Sequence, residues 1–227
     1  SQFFRLYPLQ VHDLAALNAT FLRHPILAIR NQRLTPAQQV AFSLQFGAIE
    51  DTGNDRYIHP DEPHVLVLSN EVDAQGKPLG IADAGDFLHS DLSPRPEPSK
   101  MTILQAIKNP SRGGDTEFVN MYNVYDALSD DLKREINGRS AWHHTIKLKN
   151  PRVAISGDRP DAAEYYRSLE ASVPDVLQPV VRTHPETGRQ ALYVSPRFTL
   201  RIDGMDADAS ETLLSKLFAV LRDERFL

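Results

Sequence analysis

The segment FLHSDLSPRPEPS, residues 87–99, places a histidine and an aspartate two positions apart, just ahead of three prolines. On an extended chain, residues i and i+2 point to the same side, so the imidazole of His89 and the carboxylate of Asp91 can reach one cation. The prolines oppose a helix, because each fixes its own φ and biases the preceding residue away from the α region. The spacing permits half of a metal site, although a surface hydrogen-bonded pair is the commoner role of such a tripeptide.

A second motif, GGDTEF at residues 113–118, follows further along the chain. Its two glycines permit a tight turn with positive φ, and Thr116 would then open a strand with its hydroxyl available to a ligand carboxylate. Taken alone, the motif predicts a hairpin turn.

The remaining histidines have no partner at ligand spacing. His143 and His144 are neighbours on a candidate strand, where alternation would send them to opposite faces, so at most one is expected to point inward. His184 precedes a proline in a turn. We assign none of them as a ligand, because a single histidine on a strand is more often a structural residue.

Strands are expected to position these motifs, with helices around them. The HPETGRQ turn predicts a hairpin, and Thr35, Pro36 and Gln38 form a complete helix start signal. Strand character is found at residues 25–32, 64–72, 100–107, 116–120, 140–148, 179–184 and 191–195, and helical spacing at 35–47, at 121–128, from Ser129 to Gly138 and at 210–221. The pattern predicts a mainly β chain with flanking helices.

Composition narrows the possible partners. The 227 residues include no cysteine, which excludes disulfides, thiolate metal sites and a cysteine nucleophile. A net charge of −5 with scattered basic residues does not favour nucleic acid, and no apolar run approaches the ~20 residues that span a bilayer. We expect a cytoplasmic protein with one domain and a small-molecule partner.

The order of these motifs resembles the TauD/TfdA family of Fe(II)- and 2-oxoglutarate-dependent dioxygenases. The resemblance rests on HSDLS, on GGDTEFVNMYNVYDALSDDLK, on PVVRTHPETGRQALYVSPRFTLRI and on ETLLSKLF. It runs from about Pro25 to the last residues. It implies a distorted double-stranded β-helix (jelly-roll) whose mouth holds iron on two histidines and one carboxylate, with 2-oxoglutarate and O2 at the open positions.

Residue by residue, the resemblance makes His89 and Asp91 metal ligands. Thr116 becomes a 2-oxoglutarate-binding residue, and Phe198 an aromatic that lines the substrate pocket. The implied reaction hydroxylates a small organic anion of the sulfonate, sulfate ester or aryloxyalkanoate type, with succinate and CO2 as co-products. The family commonly forms dimers or tetramers, so a homodimer or homotetramer is expected.

The chain departs from the family pattern in one main respect. The third ligand, a histidine, and the arginine that pairs with 2-oxoglutarate are expected beyond Leu227, so we interpret residues 1–227 as one dioxygenase domain lacking its C-terminal part and a little of its N-terminus. Arg95, Arg197 and Arg201 could attract an anion, although solvated surface arginines are commoner. Two alternatives stay open: a catalytically inactive β-helix module that binds metal or ligand, and a metal-dependent hydrolase that uses the His-Asp pair.

Overall fold

The structure is a computed structural model that describes residues 11–50, 57–82, 85, 87–144 and 174–226. The chain divides into two compact units, residues 1–84 and 85–227, and each is described by itself. None of the helices in the described ranges combines the length and apolarity that crossing a bilayer requires. The expected single dioxygenase domain, with its missing terminal parts, stays a prediction.

The residues described in the first unit form two helices and a short hairpin. The start signal at Thr35 is confirmed, because its hydroxyl accepts from the backbone N–H of Gln38 at 3.2 Å while the Gln38 side chain accepts from the Thr35 N–H at 2.9 Å. Leu17 and Phe42 supply the buried side chains. The elements are α1 (Val11–Arg23), α2 (Pro36–Ser43), β1 (Ile58–His59) and β2 (Glu62–Leu66), with β1 and β2 antiparallel.

Between residues 87 and 226, the described segments of the second unit form two small antiparallel sheets. Its strands are β3 (Ser140–His143), β4 (Val176–Pro179), β5 (Val181–Thr183), β6 (Gln190–Leu192) and β7 (Thr199–Ile202). β3 lies between β4 and β7, and β5 pairs with β6. The predicted HPETGRQ hairpin is confirmed, with a 2.8 Å hydrogen bond from the His184 N–H to the Arg189 carbonyl.

In the described part of this unit, three α-helices cover the core, in agreement with the helical spacing of the sequence. Ser129 caps the second of them, as predicted, by accepting from the Leu132 N–H. Leu213, Leu214 and Leu217 on the last helix are almost fully buried beside Ile202 of β7. The helices are α3 (Met121–Ala127), α4 (Asp130–Ile136) and α5 (Ala207–Leu221), followed by a 3₁₀ turn (Glu224–Phe226).

Three expected strands do not appear. Residues 25–32, 100–107 and 116–120 contain no strand, because a strand is defined by its ladder pairing and no sheet of the described residues includes them. Side chains 101–106 nevertheless alternate between half-buried and exposed, as they do in a strand that has one face covered and the other open to solvent. The described residues therefore combine small sheets with helices, and fewer of them are strand than the sequence predicted.

Candidate metal centre

His89 and Asp91 point to the same side of the chain, as their spacing predicts. The Nε2 atom of His89 lies 3.2 Å from Oδ1 of Asp91. The imidazole is largely covered, with 22% of its side chain exposed, whereas the carboxylate is half exposed. The pair therefore combines a shielded nitrogen with an oxygen that an incoming ion can reach.

The other ring nitrogen of His89 and the other carboxylate oxygen of Asp91 also have hydrogen-bond partners. His89 Nδ1 lies 2.6 Å from the carbonyl oxygen of Phe87, which can only accept, so Nδ1 carries a proton. Without a metal, a proton on Nε2 is donated to Oδ1 of Asp91, and loss of that proton frees the Nε2 lone pair for an ion. Oδ2 of Asp91 accepts a 2.7 Å hydrogen bond from the hydroxyl of Thr102. The two contacts leave Nε2 and Oδ1 as the atoms that face each other.

The charges of the pair support each other. The hydrogen bond to Asp91 raises the pKa of the His89 imidazole above its ordinary value. The same contact lowers the pKa of the Asp91 carboxyl, and the Thr102 hydrogen bond acts in the same direction. Asp91 is therefore a charged acceptor at neutral pH, which is the form a cation requires.

A tight turn carries the chain away from the pair. Leu92 has φ +52°, a left-handed conformation that is uncommon for a side chain of this size. The Ser93 N–H donates to the Ser90 carbonyl at 3.3 Å, and the Arg95 N–H donates to the Leu92 carbonyl at 2.9 Å. The prolines that follow keep this segment out of a helix, as expected.

The sheet holds this turn through two buried side chains. The amide of Gln178 on β4 donates to the carbonyls of Ser93, at 3.2 Å, and of Arg95. His143 on β3 lies with Nδ1 3.3 Å from the Ser93 hydroxyl and Nε2 3.3 Å from the Thr199 hydroxyl. Gln178, His143, Ser93 and Thr199 are each at most 2% exposed, so the turn is fixed by a dry polar network.

His143 and His144 are both buried, so the expectation that at most one of them points inward was wrong. β3 ends at His143, and its register with β7 shifts just before that residue, so strand alternation does not extend to His144. Burial lowers the pKa of His143 to about 4, and its ring stacks on Tyr193 at 5.9 Å between centroids. His143 is a neutral structural residue, as its lack of a ligand partner indicated.

Phe198 is the third sequence-predicted residue that the structure brings to the pair. It is buried, and its ring meets the His89 ring edge-on with 5.5 Å between centroids. The Arg197 guanidinium lies 5.5 Å from the centre of the Phe198 ring, and its charge acts against protonation of His89. An aromatic ring and a positive charge thus border the His89 and Asp91 pair.

Thr116 stands apart from this group. Gly113 and Gly114 adopt φ +65° and +76°, which confirms the predicted positive φ, whereas no hairpin forms around them in the described residues, and Thr116 lies exposed after them. Within the described ranges, no hydrogen bond joins Thr116 to His89, Asp91 or Phe198. Its role toward a ligand stays a prediction.

The geometry of the pair fits a metal ion. Two ligand atoms at right angles and each ~2.1 Å from an ion lie ~3.0 Å apart, close to the 3.2 Å between Nε2 and Oδ1. One nitrogen and one carboxylate oxygen are donors that Fe(II) accepts. No group of three or more His, Asp or Glu side chains in the described ranges is arranged to hold an ion.

The sequence did not identify Thr102, Gln178 and His143 as supports of the site. Thr102 lies in a run with strand-like alternation. This pattern predicts to which side of the chain Thr102 points, but not which side chain of another segment it contacts. Gln178 and His143 are far from Asp91 along the chain, and only the sheet brings them to the turn after it.

A family model described as taurine catabolism dioxygenase TauD, TfdA family matches residues 2–227. Pentalenolactone F synthase of Streptomyces avermitilis is 32% identical over 87% of the chain and 67% of its own length. The alpha-ketoglutarate-dependent 2,4-dichlorophenoxyacetate dioxygenase of a Burkholderia species is 32% identical over 89% of the chain and 68% of its own length.

A solved taurine dioxygenase from Burkholderia xenovorans superposes on the whole chain with a TM-score of 0.71 and 28% identity, over 69% of its own length. The chain therefore spans about two thirds of the length of these relatives.

Proposed function

The chain belongs to the taurine catabolism dioxygenase TauD, TfdA family, and we propose that it uses Fe(II), 2-oxoglutarate and O2 to hydroxylate a small organic anion. The reaction class is that of a 2-oxoglutarate-dependent dioxygenase, the activity for which the Burkholderia relative is named. The observation that carries the proposal is the His89 and Asp91 pair, with 3.2 Å between Nε2 and Oδ1.

In this proposal His89 binds iron through Nε2 and Asp91 binds it through Oδ1. When bound, iron supplies the activation of O2 that couples decarboxylation of 2-oxoglutarate to oxidation of a substrate carbon. Per turnover, one C–H bond becomes C–OH, one O2 is consumed, and 2-oxoglutarate leaves as succinate and CO2. The chain's own residues hold the ion, orient the substrate and exclude water.

The substrate would lie against Phe198 with its anionic group toward Arg197. Phe198 offers a buried apolar ring in contact with the metal-ligand imidazole, and Arg197 brings a positive charge to the same ring. A carboxylate, sulfonate or sulfate ester carries the complementary charge, and an apolar body suits the ring. Both features support an organic anion of the sulfonate, sulfate ester or aryloxyalkanoate type.

Three further parts of the proposal come from family membership. Thr116, exposed after the Gly113–Gly114 turn, would bind a carboxylate of 2-oxoglutarate through its hydroxyl. The third ligand is a histidine that the family pattern puts after Leu227. The complete fold is a distorted double-stranded β-helix, supported by the 0.71 TM-score to the taurine dioxygenase.

The test is anaerobic addition of Fe(II) and 2-oxoglutarate to the full-length protein. We expect a weak charge-transfer band in the visible spectrum. Succinate should then be released when air and a substrate are supplied. A panel of sulfonates, sulfate esters and aryloxyalkanoates identifies the substrate class. A band without succinate for any member would favour the inactive binding module, and the absence of both signals would reject the iron site.

A further inference from the structure

The carboxylate of Asp91 has one of its two oxygens already engaged. Thr102 donates its hydroxyl to Oδ2 at 2.7 Å, while Oδ1 faces Nε2 of His89 at 3.2 Å. Both contacts are charge-assisted, and such bonds are roughly twice as strong as neutral ones. The two oxygens of this carboxylate are therefore not equivalent.

The engaged oxygen limits how the carboxylate can bind an ion. A free carboxylate can offer a cation one oxygen or both. Bidentate binding would turn Oδ2 toward the ion, and the Thr102 hydrogen bond would have to shift to the remaining lone pair of that oxygen. Thr102 is β-branched, so its hydroxyl has few alternative orientations from which to follow that rotation.

The position of Thr102 in the chain suits this role. Residues 101–106 alternate between half-buried and exposed side chains, and Thr102 is on the exposed side together with Leu104. The hydroxyl therefore approaches Asp91 from a neighbouring segment rather than from its own loop. A contact between separate segments holds the carboxylate plane more firmly than one within the turn.

We propose that Thr102 is a positioning residue that fixes Asp91 as a one-oxygen ligand through Oδ1 and keeps the remaining metal positions open for co-substrates. The inference rests on the proposed iron site. Outer hydrogen-bond partners of metal ligands typically change metal affinity by about 10- to 100-fold when removed. Thr102→Val, which keeps the shape and loses the donor, should fall in that range.

The experiment is a titration of the full-length protein with Mn(II) alone, followed by the electron paramagnetic resonance signal of the free ion. We compare wild type with Thr102→Val, Thr102→Ser and Thr102→Ala, and with Thr183→Val as the matched control on the exposed side of β5. We expect a loss of about tenfold or more in affinity for Val and Ala. Ser should stay within about threefold of wild type because it restores the hydroxyl.

Equal affinity of Thr102→Val and wild type would overturn the inference, and so would a Ser variant as weak as the Val variant. A loss as large in Thr183→Val would overturn it too, because the effect would then not depend on Asp91. Since Thr102 is exposed, the variants should fold, and the Ala variant provides a second measurement if Val misfolds.

The failure of the inference and that of the proposed function can be told apart. If wild type takes up no Mn(II), the metal site fails and the role of Thr102 fails with it. A second outcome is that wild type and Thr102→Ser bind Mn(II) normally, Thr102→Val binds it weakly, and no substrate yields succinate. In that case the oxygenase activity is rejected and the positioning role stands.

Discussion

The side-chain amide of Gln178 donates to the backbone carbonyls of Ser93 and Arg95, and so ties a strand of the sheet to the turn that follows Asp91. Gln178 is 2% exposed, and its Oε1 accepts from Arg182 at 3.3 Å. One buried amide therefore satisfies two carbonyls of a loop that has no regular secondary structure. This contact holds in place the loop that follows the candidate ligand Asp91.

Replacing Gln178 by leucine should destabilise the protein and loosen the site. The change leaves the Ser93 and Arg95 carbonyls without their donor, at a cost of about 1–3 kcal/mol in the free energy of unfolding. Denaturant unfolding measures the lost stability, and Mn(II) titration measures the lost metal affinity. Gln190→Leu is the control, because Gln190 is exposed and its Oε1 accepts a hydrogen bond from the Tyr125 hydroxyl. Equal losses in the two variants would contradict the anchoring role.

Replacing Asp91 by asparagine should abolish metal binding with little change in stability. The amide keeps the size of the carboxylate but removes the charge that a hard cation needs. Mn(II) uptake and succinate release should both disappear, while thermal unfolding of the metal-free protein should shift by only a few degrees. Asp131→Asn, on an exposed turn of α4, should leave all three unchanged. Metal uptake at wild-type affinity by the Asp91 variant would exclude this carboxylate as a ligand.

His143 should make stability depend on pH in a defined window. Its folded-state pKa of about 4 lies below the ordinary 6.5, so the unfolded chain binds more protons between these values and stability rises with pH there. The lowered pKa contributes at most about 3 kcal/mol to the free energy of unfolding, and this contribution is lost as pH falls from about 6.5 to about 4. Tyr193, which stacks on the ring, stays neutral throughout because burial raises its pKa to about 12.

Denaturant unfolding of wild type and His143→Gln at several pH values checks this prediction. Glutamine cannot be protonated, so its stability should depend less steeply on pH between about 4 and 6.5. Equal slopes for the two proteins in that window would mean that His143 is not the group responsible.

Arg197→Gln should weaken binding of the anionic substrate and leave turnover at saturation nearly unchanged. Losing a charge-assisted contact to a carboxylate or sulfonate costs about 1.5–3 kcal/mol, so KM should rise by about tenfold or more. Arg201→Gln is the control, because that guanidinium lies 5.2 Å from the Trp142 ring on the sheet. If KM rises equally in both, a general loss of positive charge explains the effect better than a specific contact.

The two glycines of the GGDTEF turn should differ in their tolerance of alanine. Both have positive φ, which costs an alanine about 1 kcal/mol or more. A Cβ at Gly114 would also lie 2.8 Å from Cγ of Pro110, whereas a Cβ at Gly113 meets nothing within 4 Å. Gly114→Ala should therefore lower the melting temperature more than Gly113→Ala, and the reverse order would place the strain elsewhere.

Local signals predicted the local structure well. The caps at Thr35 and Ser129, the hairpin before Gln190 and the positive φ of Gly113 each depend on a few neighbouring residues, and the structure confirms them. Strand predictions at 100–107 and 116–120 failed because a strand is defined by its partner, and residue alternation contains no information about the partner.

The site was predictable only in part for the same reason. The spacing of His89 and Asp91 put them on one side, and the 3.2 Å between their ligand atoms agrees with that prediction. The hydroxyl of Thr102 and the amide of Gln178 reach the site from other segments, so no local pattern could identify them. The burial of both His143 and His144 likewise depends on where β3 ends.

The left-handed backbone at Leu92 determines which substitutions the loop can accept during evolution. A glycine or asparagine there would adopt φ +52° more readily than leucine, whereas valine or isoleucine would oppose it through its branched Cβ. Position 92 should therefore discriminate among side chains by backbone preference rather than by polarity. In a randomised library selected for folding, glycine and asparagine should be enriched beside leucine, and the β-branched residues should be depleted.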